Sequence, residues 1–413
     1  IFMIKQRKLN KVGGTLMNFS KRITTMQQSP IRKLFRYAAN AKKQGKKVYH
    51  LNIGQPDIET PANFMNAIMN FDRPVLEYSA SQGVPELIDG IAQYYRRYNM
   101  YFEEDEILIT NGGSEAILFS LITIADSGDE IIIPEPFYSN YNTFASAVDV
   151  NIVPIVTTAE NGFHLPPKEQ IEKAITDRTR GILLTHPGNP TGVVYTKDEI
   201  QCIAEIAQEH DLFILSDEVY REFVYDGLEY ISFGNIPEIQ DRVILIDSIS
   251  KRFSACGARI GAILCKNKKL IEEILKLCQG RLCSATLEQI GAAEIYHNLP
   301  EDYFKKVREE YQKRRDIVYE GLKSIPGVIC EKPTGSFYVI AKLPVSSAED
   351  FLIWLLRDFE LDNETLMLAP AEGFYATEGL GKDEVRIAYI LKEEDLRKSM
   401  KILKTALEMY PGK

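Results

Sequence analysis

One lysine of this sequence stands where an amine can do chemistry. Lys251 lies in the stretch SISKRFSACGARIG, residues 248–261, directly after the apolar run of residues 243–246 that predicts a buried strand. A neutral amine at the end of a strand can act as a nucleophile or carry a proton. Arg259 follows eight positions later between two glycines, and its forked guanidinium suits an anion.

An acidic residue ends another apolar run. Asp217 follows residues 212–215 after a single serine. A buried carboxylate is costly unless a cation or a proton donor accompanies it. One interpretation is a structural ion pair between Asp217 and Lys251, and the other is a carboxylate that pairs with a protonated ligand ring. These two residues alone do not decide between the interpretations.

Further polar residues follow other apolar runs, at the place where ligands bind in open parallel sheets. The glycine turn of residues 110–114 (TNGGS) opens a predicted helix, so its amides and hydroxyl could hold a phosphate. Residues 134–138 (PEPFY) present rings that could stack on a flat ligand. Asn189 lies between prolines and glycines in residues 185–192, and Tyr220, which carries a phenol, ends residues 216–220. The candidates from these segments are Gly112, Gly113, Ser114, Tyr138, Asn189 and Tyr220.

The elements that must position these residues alternate along the chain between residues 103 and 264. Short apolar runs are separated by amphipathic segments, which is typical of helices that cover a mostly parallel sheet. Strands that are buried on both faces have continuous apolar sequences, and the runs in this chain are continuously apolar. The predicted strands are residues 107–109, 131–133, 181–184, 212–215, 243–246 and 261–264, with helices at 167–179 and 197–210.

A second pattern follows residue 300 and predicts a smaller α+β unit. Its predicted elements are a helix at 301–324, a strand at 335–340, a helix at 348–359, a strand at 384–389 and a helix at 393–410. We expect residues 26–60 to complete this unit together with residues 300–413. Residues 61–299 then form a large ligand-binding domain, and residues 1–25 a flexible extension.

The composition narrows the class of protein. The 413 residues carry a net charge of −9, so no overall positive field favours nucleic acid or a membrane surface. No apolar run reaches the roughly 18 residues of a spanning helix. The six cysteines form no CxxC pair, which favours reduced thiols in the cytoplasm. The five histidines are not spaced as a metal site, so we expect no metal.

The candidate residues together match the needs of pyridoxal 5′-phosphate. This cofactor requires a lysine for its aldehyde, an acid for its ring nitrogen, donors for its phenolic oxygen, a stacking ring and a phosphate cradle. A dinucleotide-binding fold explains less, because the first strand-to-helix turn lacks the GxGxxG pattern. It would also leave Lys251 and Asp217 without a role.

From about residue 30 to residue 410 the sequence resembles the class I/II aminotransferases, which are fold type I pyridoxal-phosphate enzymes of the aspartate aminotransferase type. The SxSKxxxxxGxRxG pattern of residues 248–261, NPTG at 189–192 and DEVY at 217–220 carry this resemblance. It implies an α/β fold with a large, mostly parallel seven-stranded sheet flanked by helices, plus the smaller α+β domain. It also implies catalytic roles for Lys251, Asp217 and Tyr220.

The resemblance assigns the cofactor contacts residue by residue. Lys251 would bind the cofactor aldehyde and Asp217 the ring nitrogen, while Tyr220 and Asn189 would bind the phenolic oxygen. Tyr138 would stack on the ring. The implied phosphate ligands are Gly112, Gly113, Ser114, Ser248, Ser250 and Arg259.

Other motifs imply substrate contacts and a shared active site. Gly54 in NIGQPD and Arg386 in VRIAY match the segments that approach the substrate carboxylate in the family, and Asn189 would join them. Tyr78 in EYSASQGVPEL matches a tyrosine that reaches the phosphate of the partner subunit, which implies a homodimer.

The implied reaction moves an amino group between an L-amino acid, most readily aspartate, and a 2-oxo acid such as 2-oxoglutarate by a ping-pong mechanism. A branch of the family that uses aspartate carries lysine where this chain has Ser114, so another cation must serve a second carboxylate. The candidates are Arg32, Arg36 and Arg281. The alternatives are a carbon–sulfur β-lyase on the same fold and an aminotransferase for aromatic or apolar amino acids.

Overall fold

The computed structural model describes residues 19–412. Most of the expected flexible extension, residues 1–18, therefore lies outside the described residues, and its remainder contains a short helix at Lys21–Thr25. Helices are numbered in chain order: α1 Lys21–Thr25, α2 Phe35–Lys43, α3 Ala62–Met69, α4 Pro85–Arg96, α5 Gly112–Ile124, α6 Asn140–Ala147, α7 Lys168–Glu172, α8 Lys197–Glu209, α9 Ile249–Arg252, α10 Lys268–Arg281, α11 Thr286–His297, α12 Tyr303–Lys323, α13 Ala348–Arg357 and α14 Glu393–Met409.

The strands are numbered in the same way. They are β1 Lys47–His50, β2 Ile107–Thr110, β3 Glu130–Glu135, β4 Asn151–Val156, β5 Thr179–Thr185, β6 Phe213–Asp217, β7 Val243–Ser248, β8 Gly261–Leu264, β9 Tyr338–Lys342, β10 Glu364–Met367, β11 Ala369–Pro370 and β12 Glu384–Ala388.

The large sheet confirms the predicted α/β fold. Its seven strands run in the order β2-β8-β7-β6-β5-β3-β4, and only β8 is antiparallel to its neighbours. The six predicted apolar runs coincide with all of these strands except β4. That edge strand is mostly half-buried or exposed and contains Pro154, so it lacks the continuous apolar run that marks a strand covered on both faces.

One predicted helix is wrong. Residues 167–179 form only the short helix α7, and Thr179 already begins β5. The Thr179 hydroxyl accepts a hydrogen bond from the Thr176 amide at 2.9 Å, which closes a turn. The Arg178 carbonyl then accepts from the Glu130 amide at 2.9 Å, so the chain has already joined the sheet. Apolar spacing indicates a buried face there, but the turn ends the helix.

The smaller unit combines segments from both ends of the chain. Strand β1 pairs in parallel with β10, and β9, β11 and β12 form an antiparallel sheet. The strand predicted at 335–340 begins only at Tyr338, because the amides of Gly335 and Ser336 bind the carbonyls of Gly192 and Phe223. One apolar core extends from this unit to Tyr220 and Phe223 of the larger one. The domain boundaries stay a prediction.

Polar residues meet where the parallel strands end. Asp217, the last residue of β6, is paired in register with Thr185 of β5 and Ile246 of β7. Ser248, at the end of β7, is paired with Gly261 of β8. Within residues 19–412, no helix is both long enough and apolar enough to cross a membrane.

Gly261 gives a test of how tightly β8 packs on the glycine turn. A Cβ atom at this position would lie 2.5 Å from the Gly112 carbonyl carbon and 2.7 Å from the Gly113 nitrogen, which are backbone atoms that cannot move aside. We expect Gly261→Ala to lower the free energy of unfolding by about 1–3 kcal/mol in chemical denaturation.

Gly280→Ala is the matched control for this substitution. Gly280 lies in α10, and nothing lies within 4 Å of the Cβ that alanine would add. This variant should unfold at the same denaturant concentration or a higher one, because alanine favours a helix over glycine by about 1 kcal/mol. Equal stability of the two variants would contradict the packing argument.

Candidate active site

A cavity of about 240 Å³ opens at the ends of the parallel strands, between the large sheet and the smaller unit. Its walls bring together twelve of the residues that the sequence singled out. These are Gly54, Gly113, Ser114, Tyr138, Asn189, Asp217, Tyr220, Ser248, Ser250, Lys251, Arg259 and Arg386. Gly112 packs against the Arg259 guanidinium and does not line the cavity. Tyr78 lines a different cavity.

Lys251 lies in the single-turn helix α9 that follows β7. Its Nζ atom donates a hydrogen bond to the Gly54 carbonyl at 2.8 Å and lies 4.0 Å from the Cys256 sulfur. Asp217 is not its partner in the described chain. The structural ion pair between Asp217 and Lys251 is therefore absent from these residues, and the amine lies at the cavity wall.

Asp217 keeps one carboxylate oxygen without a partner. Its Oδ2 accepts a hydrogen bond from the Tyr141 hydroxyl at 2.7 Å, whereas its Oδ1 is buried and has no partner among the described residues. Burial raises the pKa of Asp217 to about 6, because the charged form is poorly solvated, and the bond from Tyr141 limits this rise. The unsatisfied oxygen is suited to a ligand that brings an N–H donor.

Tyr141 was not identified from the sequence, although a signal was present. Tyr138 precedes α6 and Tyr141 is the second residue of this helix. The Tyr141 amide donates to the Tyr138 carbonyl at 2.9 Å, which closes a turn that brings the two rings together. Their ring centres are 5.5 Å apart. The Tyr141 hydroxyl also lies 2.6 Å from the Thr185 hydroxyl, and this pair fixes its direction toward Asp217.

Three polar side chains form the next wall of the cavity. The Asn189 amide donates to the Tyr220 hydroxyl at 3.4 Å, and the Tyr220 and Tyr338 hydroxyls are 3.1 Å apart. Burial raises the pKa of Tyr220, so its hydroxyl stays protonated and can donate to a ligand oxygen. Tyr338 comes from β9 and was not identified from the sequence. A Cβ at Gly54 would lie 1.7 Å from the Tyr338 hydroxyl oxygen, so only glycine fits there.

Arg386 is a buried cation without an acidic partner in the described chain. It is 1% exposed, and its guanidinium donates to the Asn52 carbonyl at 2.6 Å and to the Asn189 side-chain oxygen at 3.1 Å. The rings of Tyr338 and Phe374 lie 4.5 Å and 4.9 Å from its guanidinium carbon. Burial lowers the pKa of Arg386. An anion would compensate this buried charge.

Arg259 and the backbone amides at the start of α5 form a second part of the site, which is suited to an anion. Arg259 adopts a left-handed conformation with φ of 55°, and its guanidinium donates to the carbonyls of Cys256 and Asn111 at 3.0 Å and 3.4 Å. Gly112 has φ of 76°, and a Cβ there would lie 2.4 Å from the guanidinium. Free amides at a helix start and an adjacent guanidinium suit a phosphate.

These features fit the cofactor expected from the resemblance. The partnerless oxygen of Asp217 suits a protonated ring nitrogen, and the start of α5 with Arg259 suits the phosphate. The hydroxyl oxygens of Ser248 and Ser250, 2.8 Å apart, line the same corner. The Tyr138 ring lies in the wall, and its hydroxyl accepts from the Asn140 amide at 2.8 Å.

Some candidate residues do not reach this cavity within one chain. Tyr78 is 79% exposed and lines a separate cavity of about 590 Å³ beside α3 and α11. Arg281 lies 3.4 Å from the Glu115 carboxylate and donates to the Ile109 carbonyl. Arg36 donates to the neighbouring Tyr37 hydroxyl. Of the three arginines considered for a second carboxylate, only Arg32 lines the cavity in the described chain.

Comparison with known proteins shows the family to which this chain belongs. The model of the family described as aminotransferase class I and II matches residues 46–403. An aspartate aminotransferase of Pyrococcus horikoshii is 32% identical over 397 residues, which cover 94% of this chain and 97% of that protein. An aspartate aminotransferase of Bacillus subtilis is 29% identical and covers 95% of this chain and 100% of that protein.

Solved structures have the same fold. An alanine aminotransferase from Pyrococcus furiosus superposes with a TM-score of 0.87 at 29% identity and covers 95% of this chain and 100% of that one. An aspartate aminotransferase from Thermus thermophilus with maleate gives a TM-score of 0.83 at 27% identity, with the same two coverages.

The raised pKa of Asp217 predicts how stability depends on pH in the protein without cofactor. A carboxyl whose folded pKa of about 6 exceeds its ordinary value of 3.8 loses stabilisation as the pH rises through this range. Asp217→Asn removes the buried charge, so above pH 6 the variant should be more stable than the wild type by on the order of 3 kcal/mol. The difference should vanish near pH 4.

Thermal unfolding of both cofactor-free proteins between about pH 4 and pH 8 measures this effect. Asp226→Asn is a control, because its carboxylate pairs with Arg315 and the pKa of Asp226 is lowered. That variant should lose stability at neutral pH. Parallel pH profiles of wild type and Asp217→Asn would contradict the assigned environment of Asp217.

Proposed function

Because the chain belongs to the class I and II aminotransferase family, we propose that it transfers the amino group of aspartate to 2-oxoglutarate with bound pyridoxal 5′-phosphate. One observation carries this proposal. A single cavity contains the Lys251 amine, a buried Asp217 oxygen without a partner, and an Arg386 guanidinium without an acidic partner in the described chain. These are an amine to react, an acid for a ring nitrogen and a cation for a carboxylate.

Each side chain then has a defined task. Arg386 binds the α-carboxylate through parallel N–H groups, which fixes the α-carbon. The cofactor, when bound, supplies an electron-withdrawing ring that stabilises the negative charge left on the α-carbon. Asp217 accepts the ring N–H, Tyr220 and Asn189 bind the phenolic oxygen, and Lys251 in its neutral form takes the α-proton at Nζ.

The phosphate ligands and the ring contact complete this proposal. Arg259, the Ser248 and Ser250 hydroxyls and the amides at the start of α5 hold the phosphate. Gly112 and Gly113 keep this turn free of side chains, and Ser114 adds a hydroxyl. The Tyr138 ring stacks on the cofactor. These assignments rest on the shared cavity and on the donors that face it.

The names of relatives support aspartate as the substrate. Several relatives are called aspartate aminotransferases, and one solved neighbour was crystallised with maleate, which has two carboxylates. A second candidate is alanine, because the neighbour with a TM-score of 0.87 is called an alanine aminotransferase. Both substrates share the α-carboxylate site, so the cavity beyond it decides between them.

We also propose that the active unit is a homodimer in the cytoplasm. An exposed apolar segment around α3 and the loop that follows it supports the dimer; its members are Met65, Met69, Val75, Leu76 and Tyr78. A second copy that covers this segment would bury it and could bring Tyr78 to the neighbouring phosphate. The six cysteines are free thiols, as expected in a reducing compartment.

A half-reaction assay tests the function. Protein loaded with pyridoxal phosphate and mixed with aspartate should release about one equivalent of oxaloacetate per site without any acceptor, because the amino group stays on the enzyme. Lys251→Ala should slow this release by about 10²–10⁴-fold or more, since no base takes the α-proton. Lys251→Arg, which keeps the charge but cannot act as the base, is the matched control.

Borohydride treatment followed by mass spectrometry gives an independent readout. The reduced cofactor should remain on the peptide that carries Lys251 in the wild type and on no peptide of either variant. Release of a 2-oxo acid from alanine but not from aspartate would favour the second candidate. Continuous breakdown of an amino acid without an acceptor would indicate a lyase.

Mixed dimers test the shared site. If Tyr78 acts on the partner's site, Tyr78→Ala and Lys251→Ala subunits should both be poorly active alone, yet regain activity after they are unfolded and refolded together. Random pairing would restore about one site in four, because a mixed dimer then has one complete site. Light scattering checks that the refolded mixture contains dimers. If such a mixture regains no activity, Tyr78 acts within its own chain.

A further inference from the structure

We propose that the Tyr338 hydroxyl donates a hydrogen bond to the Tyr220 oxygen and thereby directs the Tyr220 proton into the cavity. Tyr338 is then a positioning residue that acts on the cofactor through Tyr220. This inference rests on the proposed function, in which Tyr220 binds the phenolic oxygen of the cofactor and Tyr338 has no task. Its basis is the fixed position of Tyr338, the donors around the Tyr220 oxygen, and the protons that two phenols can share.

Tyr338 is held in place from three sides. It is the first residue of β9, is 2% exposed and lines the cavity. The Arg386 guanidinium carbon lies 4.5 Å from its ring centre. A Cβ at Gly54 would lie 1.7 Å from its hydroxyl oxygen, so the Gly54 backbone packs directly against that oxygen. The Tyr220 ring meets it edge to face, with ring centres 5.6 Å apart. A side chain packed this closely keeps its hydroxyl beside Tyr220.

Two donors surround the Tyr220 oxygen. The Asn189 amide donates to it at 3.4 Å, and the Tyr338 hydroxyl lies 3.1 Å away. Arg386 donates to the Asn189 side-chain oxygen at 3.1 Å, so the Asn189 nitrogen is the atom that faces Tyr220. Among residues 19–412, Tyr220 is the only hydrogen-bond partner of the Tyr338 hydroxyl.

The protons of the two phenols decide the direction of their bond. A phenolic hydroxyl has one proton to donate and two lone pairs that accept. If Tyr220 donated to Tyr338, it would have no proton for a ligand oxygen. If Tyr338 donates to Tyr220, then Asn189 and Tyr338 fill both lone pairs, and the Tyr220 proton points into the cavity. The proposed function requires this second arrangement.

The same bond makes Tyr220 a stronger donor. A hydroxyl that accepts a hydrogen bond donates its own more strongly, because chained hydrogen bonds polarise one another. A stronger donor stabilises negative charge on the phenolic oxygen of the cofactor. It therefore favours loss of the proton from the nitrogen that joins the cofactor to Lys251. We expect Tyr338 to lower the pH at which this nitrogen titrates.

Tyr338→Phe tests this expectation, because it removes the hydroxyl and keeps the ring. The visible absorption band of protein loaded with pyridoxal phosphate is titrated with pH. Its midpoint should be about 0.4–1 pH unit higher in Tyr338→Phe than in wild type, which corresponds to the loss of one hydrogen bond. Butyrate, a ligand with one carboxylate, should bind both proteins equally in calorimetry, since the ring beside Arg386 remains. Weaker butyrate binding would contradict a role of the hydroxyl alone.

A double substitution tests whether Tyr338 acts through Tyr220. Tyr220→Phe should raise the midpoint by itself, because it removes the donor to the phenolic oxygen. Adding Tyr338→Phe to this variant should raise the midpoint no further. If the two shifts add in full, Tyr338 acts by another route and the inference is wrong.

Tyr225→Phe is the matched control. Tyr225 is fully buried outside the cavity, and its hydroxyl donates to the carbonyl of Ser336, two residues before Tyr338. This variant should melt at a lower temperature, because a buried hydrogen bond is lost, yet keep the wild-type midpoint. A rise equal to that of Tyr338→Phe would mean that loosening of this segment shifts the midpoint, which would overturn the inference.

The outcomes separate this inference from the proposed function. If the band forms and titrates but Tyr338→Phe leaves its midpoint unchanged, only the inference is wrong. If the midpoint depends on Tyr338 through Tyr220 but no amino acid yields a 2-oxo acid, the inference stands and the proposed transfer fails. If no visible band forms with pyridoxal phosphate, both are wrong.

Discussion

The Asp217 carboxylate is the constraint on which the site depends. One of its oxygens is held by Tyr141 and the other is buried without a partner. A folded chain accepts an unsatisfied charged group only where the rest of the fold holds it in place, because its desolvation costs several kcal/mol. Strand β6 provides that support, since Asp217 ends a strand paired on both sides with buried neighbours.

Two other buried carboxylates next to the site, Glu218 and Asp247, are each paired with an arginine. Glu218 accepts from Arg221 and from the Ser232 hydroxyl, and Asp247 accepts from Arg252 and from the Ser248 amide at 2.7 Å. Burial is the main cause of the raised pKa of Asp217, and the charge of Asp247 adds to it. Arg252 is the counter-ion of Asp247. These pairs allow one carboxylate in the region to stay free for a ligand. Removing one member of such a pair leaves an uncompensated charge, which costs about 3–5 kcal/mol.

The smaller unit contributes the groups that face a substrate. Tyr338 from β9 contacts Tyr220, and Arg386 from β12 contacts Asn189, so each of these residues bonds across to the larger unit. The apolar core continues between the two units as well. Substrate recognition is therefore coupled to the packing of the units on one another, and a ligand that binds Arg386 acts on that contact directly.

The sequence by itself determined most of the element types and the residues at the strand ends, although the helix predicted at 167–179 is wrong. Continuous apolar runs followed by Asp217, Lys251 and the glycine turn predicted the parallel sheet and most of the cavity wall, because local hydrophobic pattern is encoded along the chain. It missed the edge strand β4, whose pattern is mixed. Only the tertiary structure decided that Tyr141 and Tyr338 complete the site, and that Arg32 rather than Arg36 or Arg281 reaches it. Such contacts join residues far apart in the chain, and their geometry depends on how whole elements pack.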